Sequence, residues 1–178
     1  MTRLPTTVPL ALLAAGLALA SCSTVSDPGS GPLAVDFGDE LAQQHRDVLF
    51  GATSLELVAV DPDWPTEESR ADPSTLHGYG VRGRATITDR DLRLELLTAL
   101  ADGARENDGM VAACFNPRHA ILAELDGKTC ELIICFECLT FQVWDGTERV
   151  EVVDLSETPR ATFDRIYTAE GLTIAPDH

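Results

Sequence analysis

The chain has 178 residues and a formal net charge of −16, from 13 Lys and Arg against 29 Asp and Glu. Lys128 is its single lysine. Such acidity repels phosphate backbones and anionic headgroups, which argues against a nucleic-acid partner and against membrane attachment through surface charge.

Residues 1–21 read as a signal peptide. Arg3 precedes a Leu/Ala run at residues 10–20, broken only by Gly16. That run is shorter than the roughly 20 apolar residues a bilayer span takes, and it fits an h-region of roughly 7–15 residues. It ends in Leu19-Ala20-Ser21-Cys22, which resembles the bacterial lipobox. The resemblance implies a diacylglyceryl group on the Cys22 sulfur, cleavage before it and acylation of the new amino group. An ordinary secreted protein and an uncleaved membrane anchor are the alternatives. Several acyl chains hold a protein stably, at about 0.8 kcal/mol per buried CH₂. The membrane is thus an expected partner through the lipid. Ser23, where aspartate would signal retention at the inner membrane, favours the periplasmic face of the outer membrane in a double-membraned bacterium. Residues 22–53 read as tether and lead-in, with residues 23–32 rich in Ser, Gly, Pro and Asp. Residues 54–178 read as one domain.

Leu55-Glu56-Leu57-Val58-Ala59-Val60 has strand character, and Asp61-Pro62 stops it. Residues 63–74, with Pro65 and Pro73, read as a surface loop. Residues 78–87 read as a strand with Tyr79, Val81, Ala85 and Ile87 on one face and Arg82 and Arg84 on the other. Thr88 or Asp89 caps a helix, with Asp91 near its positive end. Leu92, Leu96, Ala99, Leu100 and Gly103 follow helical spacing, widened by Leu94 and Leu97, and Asn107-Asp108-Gly109 ends the element.

Strands are then expected at 110–115, 120–125, 128–136, 139–144 and 149–154. Asn116-Pro117-Arg118 makes a break, and Asp126-Gly127 and Asp145-Gly146 make tight turns. Residues 161–169 read as a helix with Phe163, Ile166 and Tyr167 as apolar contacts, and Gly171 caps its end. Sequential strands joined by tight turns give an antiparallel sheet. The expected fold is therefore α+β, an antiparallel β-meander with helices packed on one face. A β-sandwich is the alternative.

The most distinctive residues are Cys114-Phe115-Asn116-Pro117-Arg118-His119, Gly127-Lys128 and Ile134-Cys135-Phe136-Glu137-Cys138. This pattern resembles a family of uncharacterised bacterial proteins. His77-Gly78-Tyr79 and Thr162-Phe163 also fit, so the resemblance spans residues 55–175. It implies no activity, and Cys130 lies outside the motif.

With Cys22 lipidated, four cysteines remain. In an oxidising compartment an even number predicts disulfides, with Cys114 to Cys135 or Cys138 favoured. Cys114, His119, Cys135 and Cys138 are also a legitimate zinc ligand set, although Phe136, Glu137 and Leu139 are bulky flanks for a zinc knuckle. A third reading is redox chemistry at Cys135-Phe136-Glu137-Cys138. Against it, a strand-like segment follows in place of a helix, and Glu137 opposes a thiolate. Buried free thiols are the fourth reading.

His119 reads as a hydrogen-bonded strand-start residue, with ligand or general base as alternatives. Arg118 and Glu137 are a candidate ion pair between neighbouring strands. The sequence holds no nucleophilic-serine motif, phosphate loop or zinc-protease helix, so no catalytic residue and no cofactor is assigned. The functional expectation is an exported lipoprotein, a non-catalytic envelope domain that meets an envelope protein or ligand. The alternative is a metal-binding (zinc or copper) or thiol-active domain built on the Cys/His cluster.

Overall fold

A computed structural model describes residues 31–177; the expected leader, Cys22 and the first part of the expected tether lie outside the described residues. Six strands form one open sheet: β1 (Leu55–Val60), β2 (Val81–Ile87), β3 (His119–Leu125), β4 (Lys128–Cys135), β5 (Thr140–Asp145) and β6 (Glu148–Asp154). Their order is β2-β1-β3-β4-β5-β6, and every neighbouring pair is antiparallel. The four-strand meander β3 to β6 follows from its turn residues. Asp126 and Gly127 adopt φ of +51° and +77° between β3 and β4, the two positive values a two-residue hairpin favours. Helices pack on one face of this sheet, so the fold is α+β and the sheet is not closed into a barrel.

The alternation of side chains along each strand builds the helix-covered face. Leu55, Leu57, Ile121, Leu132, Ile134, Phe141, Val143 and Val153 point into one core. Against them lie α1 (Gln43–Gly51), α3 (Arg90–Glu106) and α4 (Arg160–Ala169), through residues such as Leu49, Leu96, Leu100, Phe163 and Tyr167. Each fully buried large side chain contributes about 1.5–3 kcal/mol relative to exposure. The Asp89 carboxylate accepts from the Asp91 and Leu92 N–H groups and fixes the start of α3, as its sequence position predicts. At Gly103, α3 meets the segment before α4 so closely that a Cβ would lie 2.3 Å from Pro159 Cγ.

Residues 33–52, read from sequence as tether and lead-in, are part of this core: Leu33, Phe37, Leu41, Val48 and Leu49 are buried there. Helix α1 has no side-chain cap, and its sequence is mostly polar. Neither a capping signal nor a broad apolar stripe marked it.

The opposite face is closed differently. Val58, Val60, Ala120 and Ile133 are covered by Leu76 and Tyr79 from the excursion between β1 and β2. The expected loop at 63–74 contains a short helix, α2 (Glu67–Ala71), started by a capping box between Thr66 and Ser69. The ladder between β1 and β2 shifts register at Ala59/Val60. The four residues expected on one face are therefore divided: Tyr79 and Val81 pack on this side, while Ala85 and Ile87 join the helix side. A bulge displaces the side-chain phase by one residue, which simple alternation does not register.

Residues 110–115 are not a strand. Both neighbours of β3 are already taken by β1 and β4. The segment instead runs irregularly over the sheet's end, held by the Ala112 N–H donating to the Cys138 carbonyl at 3.1 Å. Among the described residues no helix is long and apolar enough to cross a membrane.

Candidate functional site

Strand β4 ends at Cys135 and β5 begins at Thr140, so Phe136-Glu137-Cys138-Leu139 forms the connection. Phe136 turns into the helix-face core, and Leu139 takes a φ of +55°. This tight path brings the Cα atoms of Cys135 and Cys138 to 5.2 Å, and the two are joined as a disulfide. The expected pairing of Cys114 with Cys135 or Cys138 is therefore corrected. Cys114 lies in the irregular segment before β3 and approaches from outside, its Sγ 3.9 Å from Cys138 Sγ, in contact but not bonded.

Backbone amides converge on the sulfurs. The Asn116 N–H donates to Cys135 Sγ at 3.3 Å and to Cys138 Sγ at 3.2 Å. The Cys138 N–H donates to Cys135 Sγ at 3.2 Å. Cys130 takes no part. It is buried in the helix-face core, and burial pushes its thiol up to about 12.

Arg118, one residue before β3, is buried, yet its guanidinium is fully engaged. It donates to the Pro176 carbonyl through Nε (3.1 Å) and Nη2 (2.9 Å), and to the Asn116 carbonyl through Nη1 (3.3 Å). Its Nη1 also lies 3.0 Å from Glu137 Oε1, so the ion pair read from the sequence is present. It links the disulfide turn to the start of β3 and to the C-terminal segment. Asp177 adds a longer contact to Arg118 Nε at 3.8 Å and pairs with Arg160 at 2.5 Å. That Arg160 hydrogen bond is the main reason the Asp177 carboxyl lies below the usual range.

His119 opens β3, paired in the ladder with Ala59 and Ile134. Its ring sits edge-on among Phe136, Phe163 and Tyr167, with centroids 5.3, 5.9 and 4.8 Å away. Nε2 lies 2.9 Å from Asp164 Oδ1, close enough for an ion pair were the ring protonated. The two atoms are not aligned for a hydrogen bond, and Nδ1 has no aligned partner either. Burial lowers the His119 pKa more than Asp164 raises it, so the ring is neutral. Tyr167, beside it, donates its hydroxyl to the Ala120 carbonyl at 2.7 Å.

The zinc ligand set is not assembled. Cys135 and Cys138 spend their sulfurs on each other, and His119 faces the aromatic side chains. Among the described residues no group of three or more His, Cys, Asp or Glu side chains is placed to hold a metal ion. Arg118, His119 and Glu137 do line one crevice with Asn116, Phe136 and Arg160. Its volume is about 10 Å³, room for roughly one water and for no substrate.

A second polar cluster lies on the other face, and of its residues only His77, Gly78 and Tyr79 belong to the sequence motif. His77 and Gly78 have φ of +52° and +92° and close a tight turn in which Leu76 and Tyr79 exchange both backbone hydrogen bonds. His77 Nε2 lies 2.5 Å from Glu131 Oε2, and the ring stacks on Trp144 with centroids 3.9 Å apart. Tyr79 meets Phe115 edge-on at 6.2 Å, which joins this cluster to the segment carrying Cys114. Beside it opens a cleft of about 280 Å³ lined by Arg70, Asp72, Thr75, His77, Trp144 and Thr147 among others. Gly78 and Tyr79, expected to begin the strand, belong instead to this turn, and β2 starts at Val81; Glu131 and Trp144 come into reach only through strand register.

Comparison with family models, with curated proteins and with solved structures finds no match to this chain.

Proposed function

We propose that the chain is an exported bacterial lipoprotein, anchored through Cys22, whose domain serves the cell envelope by binding rather than by catalytic turnover. The reading is supported above all by the Cys135–Cys138 disulfide. Such bonds persist in oxidising compartments outside the cytosol, which agrees with the leader and lipobox. The polar residues around that bond add support. Arg118 and Glu137 are engaged in holding the turn and the C-terminal segment, and His119 is enclosed by aromatic rings. The acidic composition leaves anchoring to the lipid.

The test is the mass of the N-terminal proteolytic fragment from membranes of expressing cells. It should begin at Cys22 and carry a diacylglyceryl group and an added acyl chain. Cys22→Ala should leave the leader attached. An unmodified Cys22 in the native chain would overturn the reading.

A further inference from the structure

We infer that Cys114, Cys138 and Cys135 form a three-sulfur relay in which Cys114 takes the disulfide over from Cys135 and presents it to the dithiol of an exported polypeptide. The first support is distance and order. Cys114 Sγ touches Cys138 Sγ at 3.9 Å, so Cys138 is the sulfur attacked and Cys135 the one that leaves. The second support is the amides. Cys135 Sγ, the leaving sulfur, receives two N–H donors, from Asn116 at 3.3 Å and from Cys138 at 3.2 Å. Hydrogen bonds to a developing thiolate favour it, and a stabilised leaving group departs faster. These amides supply what a helix N-terminus supplies elsewhere. Glu137 would oppose the thiolate, but Arg118 holds its carboxylate at 3.0 Å. The third support is access. Cys135 and Cys138 are 1% and 0% exposed, whereas Cys114 is at the surface.

The exchange needs no oxidant. Cys114 gives up its proton, its sulfur lone pair attacks Cys138 Sγ, and the Cys114–Cys138 bond forms as the Cys135–Cys138 bond breaks. The electron pair leaves on Cys135 Sγ, which takes a proton from water. One disulfide and one thiol are present before and after. A client thiolate then attacks Cys114 Sγ and releases Cys138. The client's second thiolate attacks the client sulfur of the mixed disulfide and releases Cys114. The client loses two electrons and two protons, and the three relay cysteines end as thiols. An exported polypeptide as client rests on the location proposed above; the sulfur chemistry does not.

The experiment uses the full chain purified in detergent and a synthetic reduced two-cysteine peptide under single-turnover conditions. Acid quenching, alkylation and peptide mapping should find a minor isomer with Cys114 bonded to Cys138 and Cys135 alkylated. The peptide should be oxidised stoichiometrically. Cys114→Ser should keep the Cys135–Cys138 bond, which reports an intact fold, lose the isomer and slow peptide oxidation at least tenfold. Cys130→Ala should behave as the parent. Equal rates with and without Cys114 would overturn the relay while leaving a reactive disulfide. Failure of the parent to oxidise the peptide would overturn both. Neither result bears on the lipid at Cys22, which is read by mass alone.

Discussion

His119 on the helix face and His77 on the other face each lie against a carboxylate, and the two pairs are built in opposite ways. On the helix face His119 is packed edge-on among three aromatic rings, and its 2.9 Å approach to Asp164 is not an aligned hydrogen bond. On the other face His77 bonds Glu131 at 2.5 Å and stacks flat on Trp144. The difference follows from what covers each face. Three helices bury the first with large apolar side chains, so the fold there tolerates an unpartnered imidazole by keeping it neutral. The second face is closed by Leu76 and Tyr79 from a connecting excursion, with Phe115 beside them, and the polar contacts of His77 help fix that excursion in place.

The sharpest test of this contrast removes the principal packing residue of one face. Phe163 is fully buried against His119 and Phe136. Phe163→Ala should cost about 3–5 kcal/mol in denaturant unfolding, through lost transfer energy and the cavity left behind. A cost below about 1 kcal/mol would mean that helix α4 is not seated as described.

The counterpart on the second face is His77→Asn, which keeps a residue tolerant of positive φ and removes the imidazole. It should cost about 1.5–3 kcal/mol, the range for losing a hydrogen bond to a charged group. Hydrogen exchange should loosen first in residues 61–80, with β3 to β5 unchanged. Loosening spread evenly over the sheet would break the contrast, because the excursion would then not be a separate unit.

How much of this was legible beforehand divides along the same line. The helix face followed from periodicity: Leu96 and Leu100 in α3, Phe163 and Tyr167 in α4, and the hairpin at Asp126-Gly127 all lie where their spacing and turn chemistry place them. The second face did not follow. Its strand phase is broken by the bulge at Ala59/Val60, and its cover is a loop whose partners, Glu131 and Trp144, are far away in sequence. Helix α1 was hidden by a polar sequence and a missing cap. At the candidate site, the motif residues pointed to one place, and Arg118 with Glu137 paired as read. The disulfide partner was not legible because the β-like composition of residues 110–115 suggests a strand that would set Cys114 opposite its partners in the sheet. As an irregular segment it reaches the pair from outside.

A smaller perturbation probes the helix face alone. Tyr167→Phe keeps the ring that packs on His119 but removes the hydroxyl bonded to the Ala120 carbonyl. Its cost should be about 1 kcal/mol, set by an acceptor left without that partner. A neutral result would show that the aromatic packing carries this contact by itself.

The smallest effect near neutrality is the titration of His119, and its sign is fixed by the burial. Burial depresses its pKa in the folded chain, opposed by Asp164 on α4 and helped by Arg160 and Arg118. In the unfolded chain the imidazole protonates near its ordinary value of about 6.5. Above that value neither state is protonated and the contribution is flat. As pH falls below it, the unfolded state takes up a proton that the folded state refuses. Stability is then lost toward acid, with a slope of at most about 1.4 kcal/mol per pH unit for one group. The loss is a few tenths of a kcal/mol at pH 6.5, where half the unfolded rings are charged. His119→Phe retains an aromatic ring in the same box and should flatten this acid slope between pH 6.5 and 5.5. Asp164→Asn removes the one carboxylate that favours the charged ring, so the slope should extend further toward acid. An Asp164→Asn variant with a shallower slope than the parent would mean that the carboxylate, not the buried ring, governs the acid response of this face.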